Sequence, residues 1–151
     1  MRLLLAFLYV FFVTSNEICA RSVQKTYLDP LDQYCSANTD KNILVYDENG
    51  YIVEGNSDVN EMLRCNWSKI GLLCDGGEIN LYKLQRMMEN NLIGVYDNYV
   101  RTYLVSKTIS DCKNVKGTSD GDTTVKMYNC LYKKMEVNAK RLQDEKEKEG
   151  D

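Results

Sequence analysis

Apolar residues recur every three or four positions through most of the chain after residue 57, which is the spacing of one face of an α-helix. Helices are predicted over 57–70, 79–90 and 95–112, and from Asp122 onward. Gly71 should end the first of them, because glycine adopts the left-handed conformation at low cost. A further helix is expected to begin at residues 29–32, where aspartate and proline suit a first helical turn.

The helix predicted over 95–112 carries the clearest aromatic pattern. Its apolar stripe is predicted to consist of Tyr96, Tyr99, Val100, Tyr103 and Leu104. Such a stripe is expected to face the interior, because a helix of a globular protein buries its apolar side.

Residues 43–54 have a different pattern. Apolar runs at 43–46 and 51–53 flank Asn49 and Gly50, a dipeptide that favours the tight turn of a β-hairpin. A hairpin is therefore predicted for this segment, and a helix is the alternative.

The first twenty residues have the pattern of a secretory signal peptide. Arg2 precedes an unbroken apolar run over 3–13, which is shorter than the about 20 residues that cross a membrane and has the length of a signal-peptide core. Cleavage is expected after Ala20, and a cut after Ser15 is the competing choice. No later segment is apolar enough to span a membrane, so we expect a secreted, extracellular protein.

The end of the chain is strongly charged. Residues 140–151 alternate in sign and contain almost no apolar side chains, which predicts a solvated or frayed tail. Because 151 residues suit one domain, the expected organisation is a signal peptide over 1–20, a helical domain over 21–139 and a charged tail over 140–151.

The composition removes several classes of function. The chain has no histidine, which excludes Ser-His-Asp and Cys-His catalysis and histidine-ligated zinc. A formal net charge of −3 argues against a nucleic-acid binder. Glu78, Asp120 and Asp122 lack the spacing of an EF-hand, so capping of helices is the expected role of such carboxylates. We expect no catalysis, no cofactor and no metal.

Six cysteines in a short secreted chain predict disulfide bonds. If cleavage follows Ala20, five cysteines remain, and an odd number predicts a free thiol or an intermolecular bond. The five are Cys35, Cys65, Cys74, Cys112 and Cys130. Cleavage after Ser15 would retain Cys19 as a sixth.

Two stretches around the cysteines carry a resemblance to a known family. After Cys65 come Gly71-Leu72-Leu73 and then a further helix, and near the C-terminus Gly117, 120–122 and 128–132 surround Cys130. Together these resemble the turn and the closing signature of the insect odorant-binding proteins, of the pheromone and general odorant-binding type. The resemblance extends over nearly the whole chain after the signal peptide.

Two cysteines of that family are missing here. The family has six, with three residues between the second and third and eight between the fifth and sixth, so the missing ones would stand at Glu61 and Gly121. In the family these two bond to each other, and this chain resembles the subclass that lacks the pair. The absent bridge would contribute about 4 kcal/mol, so we expect the helices that begin near residues 58 and 122 to be less firmly tied.

The resemblance also implies the remaining disulfides. The implied bonds are Cys35–Cys65 and Cys112–Cys130. Cys74 has no family partner, and is expected to be either a buried thiol or, if cleavage follows Ser15, a partner of Cys19.

The fold implied by the resemblance is an all-α, compact bundle of about six helices around an apolar cavity, stapled by two disulfides. The cavity of such a protein holds a small hydrophobic molecule, in surroundings that are mostly apolar with few polar anchors. The side chains expected to face it are Met62, Trp67, Leu84, Met88, Tyr103, Val125 and Tyr128. The hydroxyl of Tyr103 or Tyr128 could orient a polar ligand head, and plain core packing is the alternative for each residue.

The resemblance therefore predicts a secreted carrier of an odorant or a pheromone, with a chemosensory receptor as a candidate partner. The first alternative is a salivary scavenger that sequesters host mediators in a blood-feeding insect. The second is a structural or signalling helical domain with a filled core. Oligomeric state is left open.

Two further expectations concern individual side chains. Asn66-Trp67-Ser68 is an N-glycosylation sequon, but its place in a packed helix argues against occupancy. Without histidine, any loss of ligand in acid must come from carboxylates, for which the candidates are Asp58, Glu61, Asp120 and Asp122. If Glu61 is ionised and paired in the folded protein, Lys126 is a candidate partner and the pKa of Glu61 would be depressed.

Overall fold

The computed structural model describes Cys35 and residues 46–149. The signal peptide, the helix predicted from 29–32 and residues 43–45 of the predicted hairpin lie outside the described residues. Within them the fold is helical and contains no strand. The four helices are α1 (Ser57–Lys69), α2 (Leu81–Asn91), α3 (Asn98–Cys112) and α4 (Asp120–Glu149). The helical class is therefore confirmed, whereas the expected number of about six helices exceeds the four of the described part.

Short polar side chains begin the first three helices. The side chain of Asn56 accepts hydrogen bonds from the backbone N–H groups at the start of α1, and Asn80 and Asp97 do the same for α2 and α3. These oxygens satisfy N–H groups that have no partner inside the helix. The predicted helix starts at 79 and 95 were each early by two or three residues, because apolar spacing does not distinguish a capping residue from the first turn.

A Schellman turn ends α1 and places the following loop. Gly71 has a φ of 70°, and the N–H of Leu72 donates to the carbonyl of Trp67 at 2.8 Å. Leu72 and Leu73 are thereby turned into the core. The predicted stop at Gly71 is confirmed.

Of the predicted hairpin, the structure describes residues 46–54. Residues 47–50 form a turn, and one antiparallel bridge joins Tyr46 to Ile52, as a hairpin would require. On α4, Asn129 accepts a hydrogen bond from the N–H of Ile52 and donates one to its carbonyl, both at 2.9 Å. A side-chain amide thus holds the backbone of Ile52 against α4.

The long helix α4 holds the fold together, since α1 and α3 both pack on it while α2 packs on α3. The core contains apolar side chains from all four helices and from the two connecting turns. Its members include Ile52, Val59, Leu63, Trp67, Leu72, Leu84, Val105, Val125 and Leu131.

The charged tail continues the last helix over its described part. Helix α4 extends to Glu149, and most side chains beyond residue 140 are exposed. Opposite charges four residues apart, such as Lys140 and Asp144, favour the helix.

The two implied disulfides are present. Cys35 bonds to Cys65 and Cys112 bonds to Cys130, with a Cα–Cα distance of 5.9 Å in each. Cys74 is also disulfide-bonded, and its partner lies outside the described residues. The expectation of a buried free thiol at Cys74 is therefore wrong.

Candidate ligand-binding interior

The seven side chains expected to face a ligand fall into three groups. Met62, Trp67, Leu84 and Val125 are buried, whereas Met88 and Tyr128 are half-buried. Tyr103 is 48% exposed. Trp67, Leu84 and Val125, on α1, α2 and α4, belong to one contiguous core cluster, and Met88 and Tyr128 pack against it. The described interior therefore brings together five of the seven.

Tyr103 does not face inward, and only part of the stripe predicted for its helix is buried. The buried residues of α3 are Leu104, Val105, Thr108, Ile109 and Cys112, so Leu104 is buried as the stripe predicts. Tyr99 and Tyr103 are exposed. Tyrosine has an apolar ring, but its hydroxyl tolerates water, and the spacing of Leu104, Val105 and Ile109 was the better signal for the buried face.

Trp67 is a buried aromatic residue whose ring carries a polar N–H group. It is 2% exposed, and its backbone carbonyl anchors the turn after α1 by accepting from Leu72 and Leu73. Its indole Nε1–H has no hydrogen-bond partner among the residues that the structure describes. A buried indole N–H usually has one, so this donor is available in the interior.

Tyr128 differs, because its hydroxyl is already engaged. It is hydrogen-bonded to Tyr46, and burial raises the pKa of the phenol. Tyr128 therefore stays neutral and is tied to the segment that precedes α1, rather than being left without a partner.

A buried polar pair that the sequence did not indicate lies between α3 and α4. Asn138 donates to the hydroxyl of Thr108 at 3.2 Å, and both side chains are buried. Buried polar atoms that are paired fix the register of the elements that carry them. The sequence gives no periodic signal for such a pair, because Thr108 and Asn138 lie 30 residues apart.

A polar surface cleft of about 440 Å³ lies where α1 and α4 begin. It is lined by Ser57, Asn60, Glu61, Arg64, Ser119, Asp120 and Gly121. The two positions at which the missing cysteines would stand, Glu61 and Gly121, thus face the same cleft. Its lining is polar and charged, which is unsuited to a hydrophobic ligand.

Two carboxylates at or near this cleft, Glu61 and Asp122, are paired along their own helices. Arg64 binds Glu61 through both nitrogens of its fork, at 2.5 and 2.7 Å, and holds the pKa of that carboxyl below its usual value. Lys126 binds Asp122 at 2.9 Å, so the candidate pair between Glu61 and Lys126 is not formed. The reason is spacing, since partners three or four residues apart share a helix face.

Asp122 is held chiefly by the loop before α4. The N–H of Thr118 donates to its carboxylate at 2.7 Å, and this bond, followed by that of Lys126, lowers the pKa of Asp122. The role is that of a helix-capping carboxylate, as expected for this position.

The sequon does not lie on the surface. Asn66 is 6% exposed within α1, and a glycan on its amide would have no room in the folded protein.

Comparison with protein families identifies the fold and its class of function. The model of the PBP/GOBP family matches residues 21–134, which include all four helices in whole or in part. The chain belongs to the PBP/GOBP family. This is the insect odorant-binding protein family, so the resemblance found in the sequence is confirmed. The comparisons with curated proteins and with solved structures gave no significant match.

Family membership sets the general function. PBP/GOBP proteins are binding carriers of odorants and pheromones rather than enzymes. They are typically secreted, and the disulfides of this chain fit an extracellular protein. No helix of the described part is long and apolar enough to cross a membrane.

Proposed function

We propose that this protein is a secreted carrier that encloses one small hydrophobic molecule, of the odorant or pheromone type, between α1, α2 and α4. The observation that carries the proposal is the family match over residues 21–134. The placement of Trp67, Leu84 and Val125 in one apolar cluster supports it, because affinity in such a carrier comes from apolar surface removed from water.

The half-buried methionines at the edge of this cluster suit a ligand site. Met87 and Met88 pack against the core from α2, and the unbranched, polarizable methionine side chain adapts to irregular shapes. Met62 adds a buried thioether from α1. A chain that only filled its core would be better served by branched side chains with fewer rotamers.

Displacement of a fluorescent probe tests the proposal. The mature protein should bind N-phenyl-1-naphthylamine saturably, with one site per chain, and apolar compounds should displace it. An interior that is filled by its own side chains would show no saturable binding, and the carrier proposal would then be wrong.

A matched pair of variants on α2 locates the site. Leu84→Ala should change the affinity for the probe, because Leu84 is buried in the cluster. Tyr82→Ala, two residues away, should leave it unchanged, because Tyr82 is 75% exposed. Equal effects of the two variants would place the probe on the surface.

A further inference from the structure

Trp67 combines three properties that no other described side chain shares. It is the single tryptophan of the chain, it is almost fully buried, and within the described part of the chain its indole Nε1–H has no hydrogen-bond partner. Two other buried polar atoms lack partners, Asn60 Oδ1 and Arg101 Nε, but their residues are only half-buried. Trp67 is therefore the clearest case of a donor that the fold has removed from water without giving it an acceptor.

The surroundings of Trp67 do not favour a water molecule as the acceptor. The ring belongs to a cluster of apolar side chains, and a buried water needs two to four polar partners to be held. The hydroxyl of Tyr128, the other candidate for orienting a ligand, is bonded to Tyr46. The donor that the interior presents to a polar ligand atom is therefore the indole N–H of Trp67, on α1.

The chemistry of indole restricts what this donor can recognise. Its N–H donates and has no accepting lone pair, so the group that binds it must be an acceptor. A carbonyl, ester, ether or hydroxyl oxygen qualifies, whereas a saturated hydrocarbon does not.

Resting on the proposed carrier function, we propose that Trp67 Nε1–H donates a hydrogen bond to an oxygen of the bound ligand and that the protein thereby prefers oxygen-bearing apolar molecules over hydrocarbons of equal length. The donor is already desolvated in the free protein, so only the ligand oxygen loses water on binding. The preference is expected to be about tenfold in affinity.

The single tryptophan makes a direct test possible. The mature, ¹⁵N-labelled protein has one indole N–H resonance, which is recorded while 2-undecanone or undecane is added. The ketone should move this resonance downfield, as a new hydrogen bond does, and the alkane should move it much less. Equal movement with both compounds, or none with either while both displace the probe, would overturn the proposal and leave the carrier function intact.

A variant separates the hydrogen bond from the packing of the ring. Trp67→Phe should reduce the ratio of ketone to alkane affinity from about tenfold to near one, since any effect of the smaller ring applies to both compounds. Tyr82→Phe removes an exposed hydroxyl and should leave the ratio unchanged. An unchanged ratio in Trp67→Phe would contradict the proposal.

The two proposals fail in different ways. If the probe does not bind saturably to the wild-type protein, the carrier function and this inference are both wrong; if the probe binds but the ketone does not displace it, this inference alone is wrong. If the variant does not fold, the indole spectrum of the wild-type protein still decides the question.

Discussion

Gly121, in the first turn of α4, lies against the backbone of α1 at Asn60. A Cβ at this position would lie 2.6 Å from the carbonyl oxygen of Asn60, which is closer than real Cβ contacts allow. Glycine at this position lets the start of α4 lie directly against the backbone of α1.

The first prediction is that Gly121→Ala destabilises the protein. The new methyl group must push against backbone atoms of Asn60, and overpacking of this kind costs about 1–3 kcal/mol. Unfolding in urea measures the change. Gly76→Ala is the control, because nothing lies within 4 Å of a Cβ at Gly76, and an effect as small as that of the control would contradict the close packing.

A second prediction at the residue scale concerns acid. Asp122 and Glu61 both have a pKa below the usual value in the folded protein, through Thr118 and Lys126 for the first and Arg64 for the second. A depressed folded pKa contributes stability that is present above the unfolded pKa and is lost as the pH falls through the folded one. Because carboxylates titrate near pH 4 when unfolded, and the chain has no histidine, the Tm should be flat from about pH 7.5 to 5.5 and fall only below about pH 5.

Thermal unfolding followed by circular dichroism checks this profile. Asp122→Asn should lower the Tm at neutral pH and make the acid branch shallower, since the substituted group no longer titrates. A midpoint of the stability loss between pH 6 and 7 would contradict the assignment to these carboxylates.

At the scale of elements, Asn129 joins α4 to the turn that precedes α1. Its amide makes two hydrogen bonds to the backbone of Ile52 and donates a third to Glu54 at 3.1 Å. Ile52 itself is buried, so without Asn129 its backbone N–H and carbonyl would be left unpaired away from water.

The third prediction follows from this contact. Asn129→Ala should lower the free energy of unfolding by about 2 kcal/mol, because two buried backbone groups lose their partners, and should increase hydrogen exchange at the Ile52 amide. Asn90→Ala, on the exposed side of α2, is the matched control. Slow exchange at Ile52 in the Asn129 variant would show that another group satisfies it.

The sequence predicts elements well where local signals suffice. The existence of α1 to α4, the stop at Gly71 and the two disulfides follow from periodicity, glycine conformation and the family resemblance. The contact between Ile52 and α4 could not be predicted in this way, because Asn129 lies 77 residues away in sequence.

For the candidate site, too, local spacing predicts some positions, whereas others depend on how the helices pack. Burial of Leu84 and Val125 agrees with their apolar spacing, whereas the outward position of Tyr103 depends on how α3 is rotated on α4. The free donor of Trp67 had no sequence signal, because whether an indole N–H finds a partner is a property of the packed interior.

At the scale of the whole molecule, the number of cysteines and their bonds indicate where the mature chain begins. Cys74 is disulfide-bonded, and four of the other cysteines bond to one another. Cys19 is the remaining cysteine of the sequence. Our fourth prediction is that Cys74 pairs with Cys19, which requires that the signal peptide be cut before Cys19, after Ser15, rather than after Ala20.

The fourth prediction is tested by mass spectrometry of the secreted protein. The intact mass should correspond to a chain that begins at Asn16, and digestion without reduction should yield a peptide pair linked through Cys19 and Cys74. A mature chain that begins at Arg21, with Cys74 as a thiol or bonded to a second chain, would contradict the inference.

The central claim is that a hydrophobic molecule is enclosed by the helical bundle. A crystal structure of the mature protein with 2-undecanone tests it most directly. The account predicts the alkyl chain against Leu84 and Val125, with the ketone oxygen within hydrogen-bond distance of Trp67 Nε1. A ligand found in the polar cleft between Glu61 and Gly121, or an interior filled by side chains with no room for it, would contradict the account.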